Sequence, residues 1–185
     1  YQKRPSTMRE HRWLYLNDQT FKPKISKKVH RAMLEENSKE NIIVTYGDGF
    51  SESLKAKQIL ENNGVKVSVM SISYFPSHER ISPSIINTLK KYKNIFYVDT
   101  SPFEFGVLNG LSGILNNTFK KKDLIETIIS CPRTPCPTSP KLAEKYYPTK
   151  NDISNKIYKK ITGRKLRLKK IDFYEIHTVS KVNLD

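Results

Sequence analysis

An alternation of strand-like and helix-like segments between residues 41 and 131 restricts the fold of this chain more than any other feature. Asn41–Tyr46 is a compact run rich in β-branched residues, which predicts a strand buried on both faces. Three further strands are predicted at Val65–Ile72, Asn94–Val98 and Leu124–Ser130. Helical patterns separate them, and this order indicates an open α/β sheet.

The first predicted helix follows the strand Asn41–Tyr46. Ser51 opens an amphipathic stretch that ends at Gly64, a residue that tolerates the left-handed conformation beyond a helix end. Its apolar face holds Leu54, Ile59 and Leu60. Ser82 and Pro83 form a favourable N-cap and first position for a second, short helix.

Two more helices are predicted further along the chain. Phe103–Phe119 reads as a helix, and Asn151–Ile161 reads as a short one capped by Asn151 or Asp152. The side chains expected to face inward from the first of these are Phe105, Leu108, Leu111, Ile114 and Leu115.

Three segments are less regular. The charges of Ser26–Leu34 suit either an edge strand or a short helix. Cys131–Pro140 holds four prolines in ten residues, so we expect it to cross a surface in extended form. Residues 163–185 alternate weakly and are expected to form an added strand or a mobile tail.

The net charge of +15 is concentrated at the two ends of the chain. Residues 1–35 hold 9 Lys and Arg against 3 Asp and Glu, and residues 131–185 hold 13 against 5. Residues 36–130 hold 11 against 10, so the predicted sheet is almost neutral. Because nucleic-acid-binding domains usually carry a basic stripe on the folded face, we expect nucleic acid to be an unlikely partner.

Composition also bears on the compartment. No run approaches 18 apolar residues, so no membrane-spanning helix and no membrane partner are expected. Two cysteines are too few for a disulfide framework, which favours a reducing cytoplasm. The chain starts at Tyr1 without a signal-peptide pattern, and we expect a processed or excised piece of a longer protein.

Four sequence segments follow one another in an order that is characteristic of one protein family and not of α/β proteins in general. They are MREHRWLYL (residues 8–16), VTYGDGFSESLKAKQILENNGVKVSVMSISYFPS (44–77), IFYVDTSPFEFGVLNG (95–110) and TPCPTSPKLAEKYYPTKNDI (134–153). Together they resemble the C-terminal domain of the transketolase-like superfamily. The likeness is closest to the beta subunit of the thiamine-dependent decarboxylase component of 2-oxoacid dehydrogenase complexes. Two turns depart from the family pattern, at Ile72–Ser77 and at Asp99–Ser101.

The resemblance implies a three-layer α/β/α sandwich around a five-stranded mixed sheet whose first strand, here Ser26–Leu34, is antiparallel. It implies that residues 1–25 are a linker and the end of a preceding pyrimidine-binding domain. Residues 26–162 would then be the transketolase C-terminal-like domain, and residues 163–185 a basic C-terminal extension. Thiamine diphosphate and Mg²⁺ would belong to the parent enzyme, bound by domains or an alpha subunit outside this chain.

The turn after the first buried strand contains a candidate anion site at Gly47, Gly49 and Ser51. Open α/β sheets bind anions where a helix N-terminus meets the carboxyl end of a strand. Simple capping by Ser51 is the alternative. Gly47–Gly49 imitates half of the metal-binding GDG motif of thiamine enzymes, but no Asn-Asn partner follows at that motif's spacing, so a tight turn is favoured.

Two further candidate sites have simpler alternatives. His78 and Glu79 follow a strand end and could face a cleft as acid or base, or lie in a solvated loop. The helix containing Phe103, Phe105, Gly106, Gly110 and Gly113 carries small residues that allow another helix to approach. The resemblance implies that this helix forms a dimer interface. The alternative is that it simply packs on the sheet.

No metal site is expected. Cys131 and Cys136 lack the paired spacing of zinc ligands, and the histidines at positions 11, 30, 78 and 177 are scattered.

The basic flanks Lys22–Arg31 and Lys156–Lys170 could meet phosphate, a membrane or an acidic partner, or be solvated. In the resembled complexes this domain docks the acyltransferase core with acidic groups, a mode that the opposite charge here does not support.

These observations lead to one function and two alternatives. The first is a non-catalytic dimerisation or scaffold domain of a thiamine-diphosphate-dependent 2-oxoacid dehydrogenase or transketolase-type enzyme, an oxidoreductase or transferase. It is expected to be inactive in isolation and to form a homo- or hetero-oligomer. The alternatives are a free-standing basic α/β module that binds nucleic acid or phosphorylated ligands, and a regulatory domain that binds a nucleotide at the sheet edge.

Overall fold

The computed structural model describes residues 27–29, 32–73, 81–119, 124–139 and 145–168. The predictions for residues 1–25, for His11, His30, His78, Glu79 and His177, and for most of the C-terminal extension lie outside these residues. Within them, no helix is both long and apolar enough to cross a membrane.

The described residues form six strands and four α-helices. The strands are β1 (Lys27–Val29), β2 (Ala32–Glu35), β3 (Asn41–Thr45), β4 (Ser68–Ile72), β5 (Asn94–Pro102) and β6 (Ile125–Cys131). The helices are α1 (Gly49–Asn62), α2 (Pro83–Leu89), α3 (Val107–Phe119) and α4 (Lys150–Thr162).

The strands pair in the order β1-β2-β4-β3-β5-β6. Strands β3 to β6 are parallel, whereas β2 is antiparallel to β4, so the predicted mixed sheet is confirmed. The segment Ser26–Leu34, predicted as one strand, is divided into β1 and β2, which pair antiparallel with Val29 opposite Ala32. The division adds a short sixth strand at the outer edge of the sheet.

Each face of the sheet is covered by two helices, because successive side chains of the buried strands point to opposite faces. Ile42 and Val44 lie in one core cluster with residues of α2 and α3. Ile43, between them, lies in a second cluster with residues of α1 and α4. The protein is therefore the predicted α/β/α sandwich.

Three local predictions were wrong. Phe103–Phe105 is a separate 3₁₀ turn, α3 begins only at Val107, and the predicted inward side chains Phe105 and Ile114 are 83% and 43% exposed. Helix α1 begins at Gly49 with Asp48 as N-cap, which places Ser51 inside the first turn.

The third correction concerns α4. Thr149, not Asn151 or Asp152, is its N-cap. Its hydroxyl accepts a hydrogen bond from the Asp152 amide, and the Asp152 carboxylate accepts one from the Thr149 amide at 3.1 Å. This reciprocal capping box satisfies two amides that the helix itself leaves unpaired.

Candidate functional site

The carboxyl ends of β3 and β5 lie side by side, and the turn into α1 packs tightly against them. Gly47 has a φ of 57°, which favours glycine. A Cβ placed on Gly49 would lie 2.5 Å from the Thr45 hydroxyl, which itself donates to the Val98 carbonyl at 3.0 Å. The glycines of this turn therefore serve its conformation and its close approach to the sheet.

The first amides of α1 already have main-chain acceptors. The Phe50 amide donates to the Gly47 carbonyl at 3.2 Å, and the Ser51 amide donates to the Asp48 carbonyl at 3.1 Å. Asp48 and Glu52 add acidic side chains to the same turn. This arrangement offers little to an anion, and the candidate site at Gly47, Gly49 and Ser51 stays a prediction.

Glu52 instead joins two helices. One carboxylate oxygen accepts from the Lys150 amide at 2.8 Å, at the start of α4, and the other pairs with Lys55 at 2.8 Å. An acidic side chain is favourable at both helix N-termini. Glu52 therefore fixes the start of α4 against α1.

A buried carboxylate at the end of β5 organises the same edge of the sheet. Asp99 is 1% exposed, and its Oδ1 accepts hydrogen bonds from the Tyr46 hydroxyl at 2.8 Å and the Ser101 amide at 2.9 Å. The Ser101 hydroxyl also donates to Oδ1. Oδ2 accepts from the Leu108 amide, in the first turn of α3, at 3.1 Å.

These four donors occupy both oxygens of Asp99. A Cβ on Gly106 would lie 2.6 Å from Oδ2, so only glycine fits there without displacement. We call Asp99, Tyr46, Ser101 and Gly106 the Asp99 cluster. Because every oxygen is engaged with the protein itself, the cluster orients the loop between β5 and α3 and offers no free base.

Burial raises the pKa of two groups at this edge of the sheet, Tyr46 within the cluster and Cys131 beside it. Desolvation raises the pKa of Tyr46 to about 12, with a smaller contribution from Asp99. Desolvation, and then the charge of Asp99, raises the pKa of Cys131 to about 12. The Cys131 thiol at the end of β6 is buried and stays protonated at neutral pH, so it is a poor nucleophile.

Cys136 lies in different surroundings. Its Sγ is exposed and lies 3.0 Å from the Tyr147 hydroxyl, whose ring stacks edge-on against Tyr146 with centroids 4.9 Å apart. Burial, followed by the hydrogen bond to Cys136, raises the pKa of Tyr147. In the part of the chain that the structure describes, no three His, Cys, Asp or Glu side chains form a group that could hold a metal ion.

A surface of apolar and small residues extends along the outer side of α3. Phe103, Phe105, Val107 and Ile114 are four of the five exposed large hydrophobic side chains among the described residues. Gly110 and Gly113 lie between them, and a Cβ on either would meet nothing within 4 Å. We call these six residues the α3 surface. The predicted interface residue Gly106 is not part of it, because it is buried against Asp99.

The sequence predicted four residues of the α3 surface, Phe103, Phe105, Gly110 and Gly113, and their interface role stays a prediction. It did not predict that Val107 and Ile114 lie there, nor the role of Asp99. Tyr46 and Asp99 are 53 positions apart, and nothing local in either segment indicates their pairing. The available signal was an acidic residue at a strand end followed by a glycine before a helix. His78 and Glu79 lie outside the described residues, and their cleft-facing role stays a prediction.

This architecture corresponds to that of a known protein family. Residues 30–153 match the family model described as "Transketolase, C-terminal domain", about two thirds of the chain. No curated protein matches the sequence significantly.

Among solved structures, the chain is similar to a split-gene transketolase described as an inactive beta4 tetramer, with 18% identity and a TM-score of 0.62. The match covers 79% of this chain and 47% of that chain, so this chain spans less than half of that structure. At this identity the likeness shows the fold.

Two other solved structures give TM-scores below 0.5. A 2-oxoglutarate:ferredoxin oxidoreductase from Magnetococcus marinus is 15% identical with a TM-score of 0.45, over 71% of this chain and 20% of that one. A transketolase variant from Pichia stipitis is 17% identical with a TM-score of 0.42, over 73% of this chain and 18% of that one.

Proposed function

The chain belongs to the transketolase C-terminal domain family, and on this premise we propose that it is the non-catalytic C-terminal domain of a thiamine-diphosphate-dependent enzyme. The parent enzyme would be of the 2-oxoacid dehydrogenase or transketolase type. Within these types, we propose that the chain is most similar to the beta subunit of a 2-oxoacid dehydrogenase. In this proposal residues 26–162 are the domain, residues 1–25 lead from a pyrimidine-binding domain, and residues 163–185 are an extension. A cytoplasmic location belongs to the same proposal.

The role proposed for the domain is to join subunits, and the α3 surface carries this proposal. Four large apolar side chains are exposed there among the described residues, and a Cβ on either of its two glycines would meet nothing within 4 Å. Exposed apolar patches of this kind are typical of protein interfaces, and small residues let helices approach closely. We infer that the occupant is the α3 surface of a second copy of this chain, since the symmetric pairing of one patch with itself is the commonest way to form a dimer.

The cofactor is proposed to bind elsewhere in the parent enzyme. Asp48 is the N-cap of α1, and the neighbouring amides are engaged in the turn. These residues do not fit a diphosphate with its metal ion, and we derive no catalytic step from them. Thiamine diphosphate and Mg²⁺ would be held by the missing thiamine-binding domains or an alpha subunit.

Sedimentation equilibrium of the full chain tests the interface. The wild type is expected to dimerise, and Ile114→Gln is expected to raise the dimer dissociation constant at least about tenfold, because it places a polar side chain in an apolar contact. Ile161→Gln is the matched control. Ile161 is the fifth exposed large hydrophobic and lies on α4, away from the α3 surface.

Two results would overturn the interface. One is a wild-type chain that stays monomeric at about 100 μM, a concentration at which even weak specific dimers are populated. The other is an equal loss of association in Ile114→Gln and Ile161→Gln. Circular dichroism of each variant establishes that a lost dimer is not simply a lost fold.

A further inference from the structure

The end of α4 and the residues after it form a strongly basic surface. Gly163 ends the helix in the left-handed conformation, with a φ of 75°, and reverses the chain. The Leu166 amide then donates to the Asn155 side-chain oxygen at 2.9 Å, which holds residues 164–168 back along the helix. Two basic stretches that follow each other in sequence are thus placed side by side.

The basic surface consists of Lys156, Lys159, Lys160, Arg164, Lys165 and Arg167, all of them exposed. Residues 156–168 contain no Asp or Glu. The other described residues hold twelve Lys and Arg against ten Asp and Glu, so they are almost neutral. Most of the net positive charge of the described part of the chain therefore lies on this one surface.

The helix dipole explains only part of this charge. Lys159 and Lys160 lie in the last turn of α4, where cations are favourable. The remaining four cations have no such role. None of the six forms an ion pair with another described residue.

We propose that this surface binds the phosphate backbone of a nucleic acid without reading its sequence. Closely spaced Lys and Arg release counterions when they meet phosphates, which supplies most non-specific affinity. Sequence would not be read, because contacts of Lys and Arg with phosphates carry no sequence information. Base stacking would add little affinity, because Tyr158, the aromatic residue of the helix, packs against the core. This binding role goes beyond the interface role. It also revises the expectation drawn from the distribution of charge along the sequence, because sequence position does not show that the chain reversal at Gly163 gathers these cations.

The composition of the surface favours a nucleic acid over an acidic protein or an anionic membrane. Lysine is depleted in protein–protein interfaces, and four of the six cations are lysines. A membrane-surface helix needs an apolar face turned outward, but Ile153 and Ile157 of α4 are fully buried in the core.

The test measures fluorescence anisotropy of a labelled mixed-sequence single-stranded DNA of about 20 nucleotides, long enough for one binding site. The variant K156Q/K159Q/K160Q/R164Q is expected to weaken binding at about 50 mM salt at least about tenfold and to make the salt slope shallower by up to about 3. The control K39Q/K66Q/K91Q/K93Q removes the same charge from exposed lysines elsewhere and is expected to retain most of the affinity.

A second variant changes no charge. Asn155→Ala removes the hydrogen bond that holds residues 164–168 beside the helix, and it is expected to weaken binding about threefold because the cations are no longer preorganised.

Three results would overturn the proposal. They are equal losses in the surface variant and its lysine control, no wild-type binding at about 50 mM salt, and tighter binding to poly-glutamate or phosphatidylserine vesicles than to DNA. Sedimentation equilibrium of the same variants measures dimerisation separately from DNA binding. These substitutions are expected to leave dimerisation unchanged, because the basic surface is not part of the proposed α3 interface.

Discussion

At the scale of single residues, Asp99 determines the shape of the loop that presents the α3 surface. It joins β3, β5 and α3 through donors on Tyr46, Ser101 and Leu108. A buried charged acceptor with several donors contributes more than a neutral one, because its loss leaves each donor without a partner. The orientation of Phe103 and Phe105 therefore depends on a carboxylate that is itself out of contact with solvent.

Substitution of Asp99 tests this role. Asp99→Asn keeps the volume but turns an amide toward a donor, and it is expected to lower the free energy of unfolding in urea by about 2 kcal/mol. Tyr46→Phe, the control, removes one neutral donor and is expected to cost about 1 kcal/mol. Both are compared at one protein concentration, since dimerisation shifts apparent stability. A cost for Asp99→Asn no greater than that for Tyr46→Phe would show that the carboxylate is not the organising group.

The raised pKa of Tyr46 in the same cluster predicts how the stability of the fold changes at alkaline pH. The pKa of Tyr46 is about 12 in the fold and near its ordinary value when unfolded, so the folded state holds the proton more tightly. The contribution is fully present below pH about 10 and is lost as the pH rises toward about 12.

At the scale of elements, most of the fold could be predicted because periodicity is a local property. The β-branched run Asn41–Tyr46 and the Ser82–Pro83 start of α2 both lie where the sequence placed them. Ile114 lies at the edge of the buried face that Leu108, Leu111 and Leu115 form on α3. The prediction for Phe105 was wrong because a continuous helix was assumed from Phe103. Gly106 is extended between the 3₁₀ turn and α3, which breaks the helical phase.

Tertiary partners account for what the local pattern could not show. The N-cap of α4, Thr149, lies two residues before Asn151 and three before Asp152, the two predicted caps. Its neighbour Lys150 donates to Glu52, 98 positions away. The two strands β1 and β2 were merged because no glycine or proline marks the reversal between Val29 and Ala32. The Asp99 cluster likewise depends on pairings across the sheet.

The capping box gives the element-scale prediction. Thr149→Ala removes the hydroxyl that caps α4 and is expected to lower the free energy of unfolding by about 1 kcal/mol. Thr149→Ser keeps the hydroxyl, and serine caps helices at least as well as threonine, so it is expected to leave the free energy of unfolding almost unchanged. Urea unfolding monitored by circular dichroism measures both. Equal costs for the two variants would show that the hydroxyl does not stabilise α4.

At the scale of the whole molecule, the sheet edge, the α3 surface and the basic surface have different characters. The sheet edge is closed by its own hydrogen bonds, the α3 surface is apolar and exposed, and the basic surface is charged and exposed. The first two features are those expected of a domain that joins subunits while chemistry occurs in other domains, as we propose. The third feature, the basic surface, adds a proposed nucleic-acid partner to this role.

We propose that the chain contributes no catalytic centre of its own. Isothermal titration of thiamine diphosphate with Mg²⁺ into the full chain tests it, followed by a turnover assay after the parent enzyme's thiamine-binding domains are added. The account predicts no saturable binding by the chain alone at up to about 1 mM cofactor, and thiamine-dependent turnover only in the reassembled enzyme. Saturable binding with a Kd below about 100 μM, or turnover of a 2-oxoacid or ketose by the chain alone, would contradict it.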